Sequence, residues 1–327
     1  MRTFDYTAAR TVEEAIRLVG ERPGAAYIAG GTDLLNLMKD GARAPDRVVD
    51  INALPLAGIT QDRGVLRIGA LSRMSAVAAH PLIRRSMPVV AQALLASASP
   101  QVRNMAAIGG NLLQRTRCGY FRDTAAPCNK RVPGSGCAAL DGEHRQHAIL
   151  GVSQDCIATH PSDLAVALLA LDATVLTQGP DGPRRVPMRD FHLVPGTTAD
   201  RENVLRHAEL ITGVEVPLTA MAARSRYLKL RDRATFEFAV VSVAAALDLR
   251  GGQVRDLRLA FGGVATKPWR SEEAEDRLRG RRLTTADLDA AGAALVRDAV
   301  PREQNAFKST LVRRALTGLV EEMGALR

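Results

Sequence analysis

Two periods of hydrophobic residues run through the chain. After Thr11-Val-Glu-Glu14, a capping-box pattern, Ala15, Ile16, Leu18 and Val19 fall on one helical face, and Gly20 to Gly24 ends it. Phe4 to Tyr6 predicts a short strand before that helix. Ala26 to Ala29 predicts another, which enters Gly30-Gly31-Thr32-Asp33 and then a helix through Leu34, Leu35, Leu37, Met38 and Lys39. Arg47–Ile51 and Val65–Ala70 read as buried strands. A helix starts within Leu71–Ser75 and runs to His80, where Pro81 stops it, and Pro88–Ser97 reads as a strongly apolar helix. Ser162 suits the N-cap of a helix over Leu164–Leu171, with Asp163 in its first turn. Ala173–Thr177 and Arg184–Val186 flank Pro180-Asp-Gly-Pro183, a hairpin turn, and Val214–Pro217 forms one more strand.

The pattern changes after Pro217. Ser225–Arg233 alternates like a strand, Ala239–Leu249 reads as a buried strand, Gly251-Gly252 as its turn, and Val254–Gly262 as a third strand. Helices follow over Glu272–Leu278, Thr285–Val296 and Asn305–Met323. Three strands then helices predict a second, separate α+β domain. At 327 residues with 46% hydrophobic content, the chain is long enough for a large core.

The formal net charge of +9 raises the question of nucleic acid. Basic residues are spread along the whole chain, aromatics are 4%, and no recognition motif appears, so a basic face for an acidic partner protein fits equally well. The N-terminus lacks an apolar core of signal-peptide length, and no apolar run reaches membrane-spanning length. The expectation is a soluble protein made in the cytoplasm, with export possible when carried by a partner that has a signal.

Candidate chemistry concentrates between Gln101 and Asp163. All four cysteines, Cys118, Cys128, Cys137 and Cys156, lie there. Two disulfides suit small domains short of core. Zinc usually takes closely spaced cysteine pairs, which are absent here. An iron–sulfur cluster tolerates four widely spaced thiolates, and Pro127, Pro133, Gly134 and Gly136 would let the backbone wrap one. His144 and His147 lie in the same loop as further metal-ligand candidates. Arg115, Arg117, Arg122, Lys130 and Arg131 either favour an anionic cluster or are simply solvated. Gly30-Gly31 and Gly109-Gly110 are twin-glycine turns beside polar groups. They either let backbone approach a phosphate-bearing ligand or are ordinary turns with Thr32 or Asp33 as an N-cap. Asp163 either complements its helix or accepts hydrogen bonds from a ligand. No nucleophile elbow, H-E-x-x-H or Walker sequence is present.

Ala29-Gly-Gly-Thr-Asp-Leu34, Gln101-Val-Arg-Asn-Met-Ala-Ala-Ile-Gly-Gly-Asn111, Pro161-Ser-Asp-Leu164 and Lys229, in this order, resemble the FAD-binding subunits of the molybdenum hydroxylases, the xanthine dehydrogenase and aldehyde oxidoreductase group. The resemblance covers nearly the whole chain. It implies an α+β fold: a two-part FAD-binding domain of the PCMH type over 1–219, in subdomains 1–55 and 56–219. A three-stranded sheet with helices like the C-terminal domain of carbon monoxide dehydrogenase flavoproteins would follow over 222–327. The segment of about 114–160 resembles the insertion of periplasmic aldehyde oxidoreductase flavin subunits. That implies a 4Fe–4S cluster ligated by Cys118, Cys128, Cys137 and Cys156.

The resemblance assigns FAD contacts to Tyr27, Ile28, Ala29, Gly30, Gly31, Thr32, Asp33, Leu34 and Leu35 around the pyrophosphate. It places Ala107, Gly110 and Asn111 on the second side. Ala107 stands where the family often has serine, so backbone contact alone is expected there. Asp163 would meet the adenosine or ribityl part, and Lys229 the flavin ring. It further implies an electron-transfer role in a heterotrimer with a large molybdenum-cofactor subunit and a small 2Fe–2S subunit. Electrons would pass to FAD and then to an external acceptor: oxygen, a ferredoxin-like protein, a quinone or NAD. The alternatives are a stand-alone flavin oxidoreductase of related fold and a zinc-stabilised basic module binding nucleic acid.

Overall fold

Three sheets follow one another along the chain in a computed structural model that describes residues 1–325. The first is parallel and contains β1 (Asp5–Ala8), β2 (Ala26–Ile28) and β3 (Arg47–Asp50), in the order β1-β3-β2. The Thr11 hydroxyl caps the intervening helix Val12–Gly20 by accepting from Glu14 N at 3.1 Å. The second sheet is antiparallel and holds β4 (Ile59–Asp62), β5 (Val65–Gly69), β6 (Thr174–Gly179), β7 (Gly182–Pro187) and β8 (Leu210–Pro217). Its order is β4-β5-β8-β6-β7, so the last strand closes into the middle. The third sheet is an antiparallel meander of β9 (Ser225–Leu230), β10 (Val241–Arg250) and β11 (Gln253–Gly262), with β10 central. Gly251 and Gly252 both adopt positive φ at the β10–β11 turn, as that tight reversal requires.

Differences from the sequence reading have local causes. Prolines start helices here as well as stopping them. Pro81, Pro88 and Pro100 each occupy the first turn of Pro81–Ser86, Pro88–Ala96 and Pro100–Met105, where a missing N–H costs nothing. The stretch around Gln101–Asn111 therefore forms two short helices, Pro100–Met105 and Ile108–Leu112, joined by extended Ala106 and Ala107.

The C-terminal unit is less separate than its composition suggests. Along β10, Val241, Val243, Ala245 and Leu247 pack under the helices Thr285–Leu295 and Phe307–Ala325. The alternate residues Ala244 and Ala246, with Ala260 of β11, enter the main core beside the helix Asp163–Ala170. Small side chains on that face let helix and sheet approach closely. The same alternation turns Tyr227 toward the main core and Leu228 and Leu230 away from it.

His192 is held in the seam between the second sheet and the helix Ile108–Leu112. Its Nε2 donates to Leu112 O at 2.9 Å, and its ring meets His160 edge-on at 4.2 Å. Burial pushes the His192 pKa down to about 4 and holds His160 well below its ordinary value. Both are neutral in the fold. A depressed histidine contributes stability that is full above the unfolded pKa of about 6.5 and is lost as pH falls toward the folded value. For His192 the loss amounts to about 3 kcal/mol. Urea unfolding of the wild-type chain is therefore expected to weaken between about pH 6.5 and pH 4. His192→Gln should lose less over the same interval, and equal losses in the two proteins would contradict this account.

Candidate cofactor site

A cavity of about 630 Å³ opens where all three sheets meet. The loop after β2 supplies its first wall, from Tyr27 through Ile28, Ala29, Gly30, Gly31, Thr32 and Asp33 to Leu34. Ala107, Gly110 and Asn111 supply the second wall, and Asp163 and Lys229 the third. Leu35 is the one residue of the predicted set outside the lining; its side chain turns outward and is 37% exposed.

The twin-glycine turns face this one space. A Cβ on Gly30 would stand 1.9 Å from Met105 O, so the first turn lies directly against the segment leading to the second. Gly31 has φ +69°, a conformation that favours glycine. Gly109 N donates to Ala70 O at 2.8 Å and fixes the second turn on the end of β5. A Cβ on Gly110 would meet nothing within 4 Å, so this residue presents bare backbone to open space. The Tyr27 hydroxyl donates to Ala208 O at 2.8 Å, which leaves its ring edge as wall.

Asp163 is 5% exposed and stands in the first turn of the helix Asp163–Ala170, where its carboxylate is held by protein donors. Ser162 Oγ caps the helix, accepting from Ala165 N at 3.0 Å and donating to Asn111 Oδ1 at 2.6 Å. The Asp163 carboxylate accepts from Tyr227 OH at 2.5 Å, Ser97 Oγ at 2.8 Å and Lys229 Nζ at 2.8 Å. Lys229 also donates to Ala96 O at 3.1 Å, leaving one of its three N–H donors for the cavity. Burial and the neighbouring Asp163 hold the Tyr227 phenol well above its ordinary pKa, so it stays a donor. Tyr227 and Ser97 are functional residues that the sequence reading missed. Tyr227 had a signal, lying two residues before Lys229 on one face of an alternating strand. Ser97, at the end of an apolar helix, had none.

Asp33 occupies the N-cap position of the helix Leu34–Lys39, but its side chain makes no capping bond. Its carboxylate accepts from Arg115 N at 2.8 Å, Arg117 Nη1 at 2.5 Å and Arg122 Nη2 at 3.2 Å. The basic residues of the cysteine loop are thus internal struts. Lys130 pairs with Glu202 at 2.9 Å and donates to Ala199 O at 2.9 Å, while Arg131 donates to Tyr120 O and Phe121 O, each at 2.8 Å.

The four cysteines form no disulfides, and Cys118 and Cys128 pack against Leu37, a residue of the cavity's lining. Cys128 and Cys137 face each other across an antiparallel bridge. Cys118 packs with Cys128, Phe121 and Leu37 on one side and with Cys156, Ala158 and Ala199 on the other. Burial pushes the Cys118 thiol up to about 11, and burial raises Cys137 and Cys156 as well; Cys128 adds to the rise at all three. The thiols are close enough to repel one another as thiolates. Among the described residues, no three His, Cys, Asp or Glu side chains close around a single ion. His147 Nε2 lies 3.2 Å from Cys118 Sγ, and burial pushes the His147 pKa down to about 4. His144 faces away from this group, with Nδ1 donating to Gly142 O at 2.7 Å.

Residues 2–219 match the family described as the FAD binding domain in molybdopterin dehydrogenase, and residues 226–323 the CO dehydrogenase flavoprotein C-terminal domain. The chain is 47% identical to the aldehyde oxidoreductase FAD-binding subunit PaoB of Escherichia coli strain K12, covering 99% of each chain. It is 28% identical to the carbon monoxide dehydrogenase medium chain of Hydrogenophaga pseudoflava over 96% of each. A solved carbon monoxide dehydrogenase from the same organism, lacking the Mo-pyranopterin moiety, superposes with a TM-score of 0.77 at 26% identity, covering 99% of this chain and 98% of that one. With both domains matched in order and a relative nearly half identical from end to end, the chain belongs to the FAD-binding subunits of the molybdenum hydroxylases, a family of oxidoreductases.

Proposed function

We propose that this chain holds FAD and a 4Fe–4S cluster in a molybdenum-dependent aldehyde-oxidising complex and carries electrons toward an external acceptor. One observation carries the reading: two twin-glycine turns and the Asp163–Lys229 pair converge on a single cavity, while Cys118 packs with both Cys128 and Cys156 and Cys128 bridges to Cys137. The residues fit FAD. Gly110 offers bare backbone where any side chain would intrude, and Lys229 keeps a donor for an acceptor atom of the ring. FAD, when bound, supplies a two-electron store that can be emptied one electron at a time. The chain's part is to grip the cofactor with the backbone of 27–34 and of 107–111. Lys229, held by Asp163 and Ala96 O, would offer its remaining N–H to the ring and so help stabilise the reduced form.

The thiols fit a cage of several metal atoms better than one zinc ion. The outer ligands of such a cage stand farther apart than the four ligands of a tetrahedral ion, in keeping with thiols that interact without converging. The relatives' names place them as FAD-binding subunits and medium chains. By analogy a large molybdenum-cofactor subunit and a small 2Fe–2S subunit are the partners of this chain. The similarity to PaoB favours an aldehyde as the substrate oxidised on the large partner.

Gly110→Leu should lower FAD affinity by at least about tenfold, read as lost flavin absorbance after gel filtration with the circular-dichroism spectrum unchanged. Full flavin retention in that variant would remove the cavity from consideration. Anaerobically purified wild-type protein should carry about four irons and about four labile sulfides per chain, and Cys128→Ser should lose most of both. Zinc in place of iron, or no metal at all, would overturn the cluster assignment while leaving the flavin site standing.

A further inference from the structure

Next to the flavin cavity is a second cavity of about 340 Å³. The two share Arg117, Pro161, Asp163 and Phe238 in their walls. Cys118 and His147 line one side of the second cavity, and Ser242 with Gly262 and Gly263 the other. Glu143, Arg145 and Gln146, all exposed, mark its outer end.

The wall is polar and incompletely satisfied. Ser242 Oγ, in a residue only 1% exposed, and His147 Nδ1 have no hydrogen-bond partner among the described residues. Buried polar atoms without protein partners are normally met by water or a ligand. Nothing selects an organic anion, because Arg117 is spent on Asp33 and Arg145 on Asp232. The volume suits roughly ten waters at about 30 Å³ each. Ser242 pairs across the sheet with Lys229 and sits beside the Tyr227 phenol, whose proton is committed to Asp163. Asp163 belongs to both cavities. The second cavity's lining therefore extends from the exposed Glu143 end, past Ser242, to the carboxylate it shares with the first cavity.

A flavin site fed by iron–sulfur centres gives such a run a use. Those centres deliver electrons without protons, whereas a flavin that accepts two electrons also takes up protons. We propose that the second cavity is a hydrated proton path that supplies the flavin cavity through Ser242 and the Asp163–Tyr227 pair, a proposal that rests on the FAD reading above. Each proton passed inward is replaced from bulk water at the Glu143 end, so no side chain changes its net state. The electrons come from the reductant of the complex.

Two variants on opposite walls test it. Ser242→Ala removes the hydroxyl without adding bulk. Gly119→Leu adds bulk at a residue of the cavity's lining without a clash at Cβ, and its iron content is checked because Gly119 follows Cys118. Gly119→Ala is the control that leaves room. The intact complex is reduced anaerobically with reduced methyl viologen, which gives electrons but no protons, in weakly buffered solution with a pH indicator. Proton uptake and bleaching of the visible flavin band are followed together. Ser242→Ala and Gly119→Leu should take up protons roughly tenfold more slowly than wild type at unchanged flavin content, with Gly119→Ala near wild type. Wild-type uptake rates in both flavin-loaded variants would overturn the path. A wild-type complex without flavin would instead overturn the FAD reading on which it rests.

Discussion

A single buried carboxylate ties the molecule together. Asp163 begins a helix of the main core, and its partners come from two other places: Ser97 from the end of a neighbouring helix, and Tyr227 and Lys229 from the first strand of the C-terminal sheet. Lys229 and Asp163 have side chains 4% and 5% exposed. Leaving either ion buried without the other costs several kcal/mol, on the order of 3–5. The docking of the C-terminal sheet is therefore part of what makes Asp163 tolerable, and Asp163 is part of what positions the sheet. The flavin cavity lies at this joint, and its third wall exists only when the two units are assembled.

Asp33 plays the corresponding part on the opposite wall. It gathers Arg115 N, Arg117 and Arg122 from the cysteine loop onto the turn that follows β2. The turn is thereby shaped from behind by the loop that carries the thiols. This accounts for much of the chain's arginine excess in the region without any appeal to an exposed basic face. Arg117 and Arg122 are only 29% and 20% exposed, and their charge is neutralised within the fold.

Periodicity carried most of the fold into the sequence. The alternation in β9 and β10 and the helical spacing after Thr11 survive intact, because burial of one or both faces leaves a regular trace. Two short helices, Pro81–Ser86 and Pro100–Met105, escaped, since a first-turn proline looks the same as a terminating one until its place in the helix is known. The cavity residues were legible through glycine. Gly30 must avoid Met105 O, and Gly110 must leave the cavity open, and both demands appear as paired glycines. Charge partners were not legible. Arg117 finds Asp33 across 84 residues, and Lys229 finds Asp163 across 66. No local pattern encodes such meetings, so the loop's cations were read as solvated or cluster-facing when they are struts.

The cysteine loop shows why these dependencies matter. Its own apolar clusters are two groups of three buried residues, each including a cysteine. That is too little to order some forty residues, at on the order of 1–2 kcal/mol of backbone entropy apiece. The loop borrows the rest. Ile149 and Leu150 enter the C-terminal core, and Ile149 N donates to Val264 O. Lys308, fully buried and with no carboxylate partner among the described residues, donates to Gln146 O, His147 O and Gly263 O at 3.0, 3.0 and 2.6 Å. Arg302 reaches Leu140 O at 2.9 Å. One end of the loop is thus anchored in the flavin wall by Asp33 and the other in the C-terminal core. The thiols sit in the middle, where the chain supplies the least packing of its own. A metal cage at that point would act as the missing core of the loop, because metal binding free energy is folding free energy when the ligands have no other reason to converge. On this view cage, loop and flavin wall form one cooperative unit.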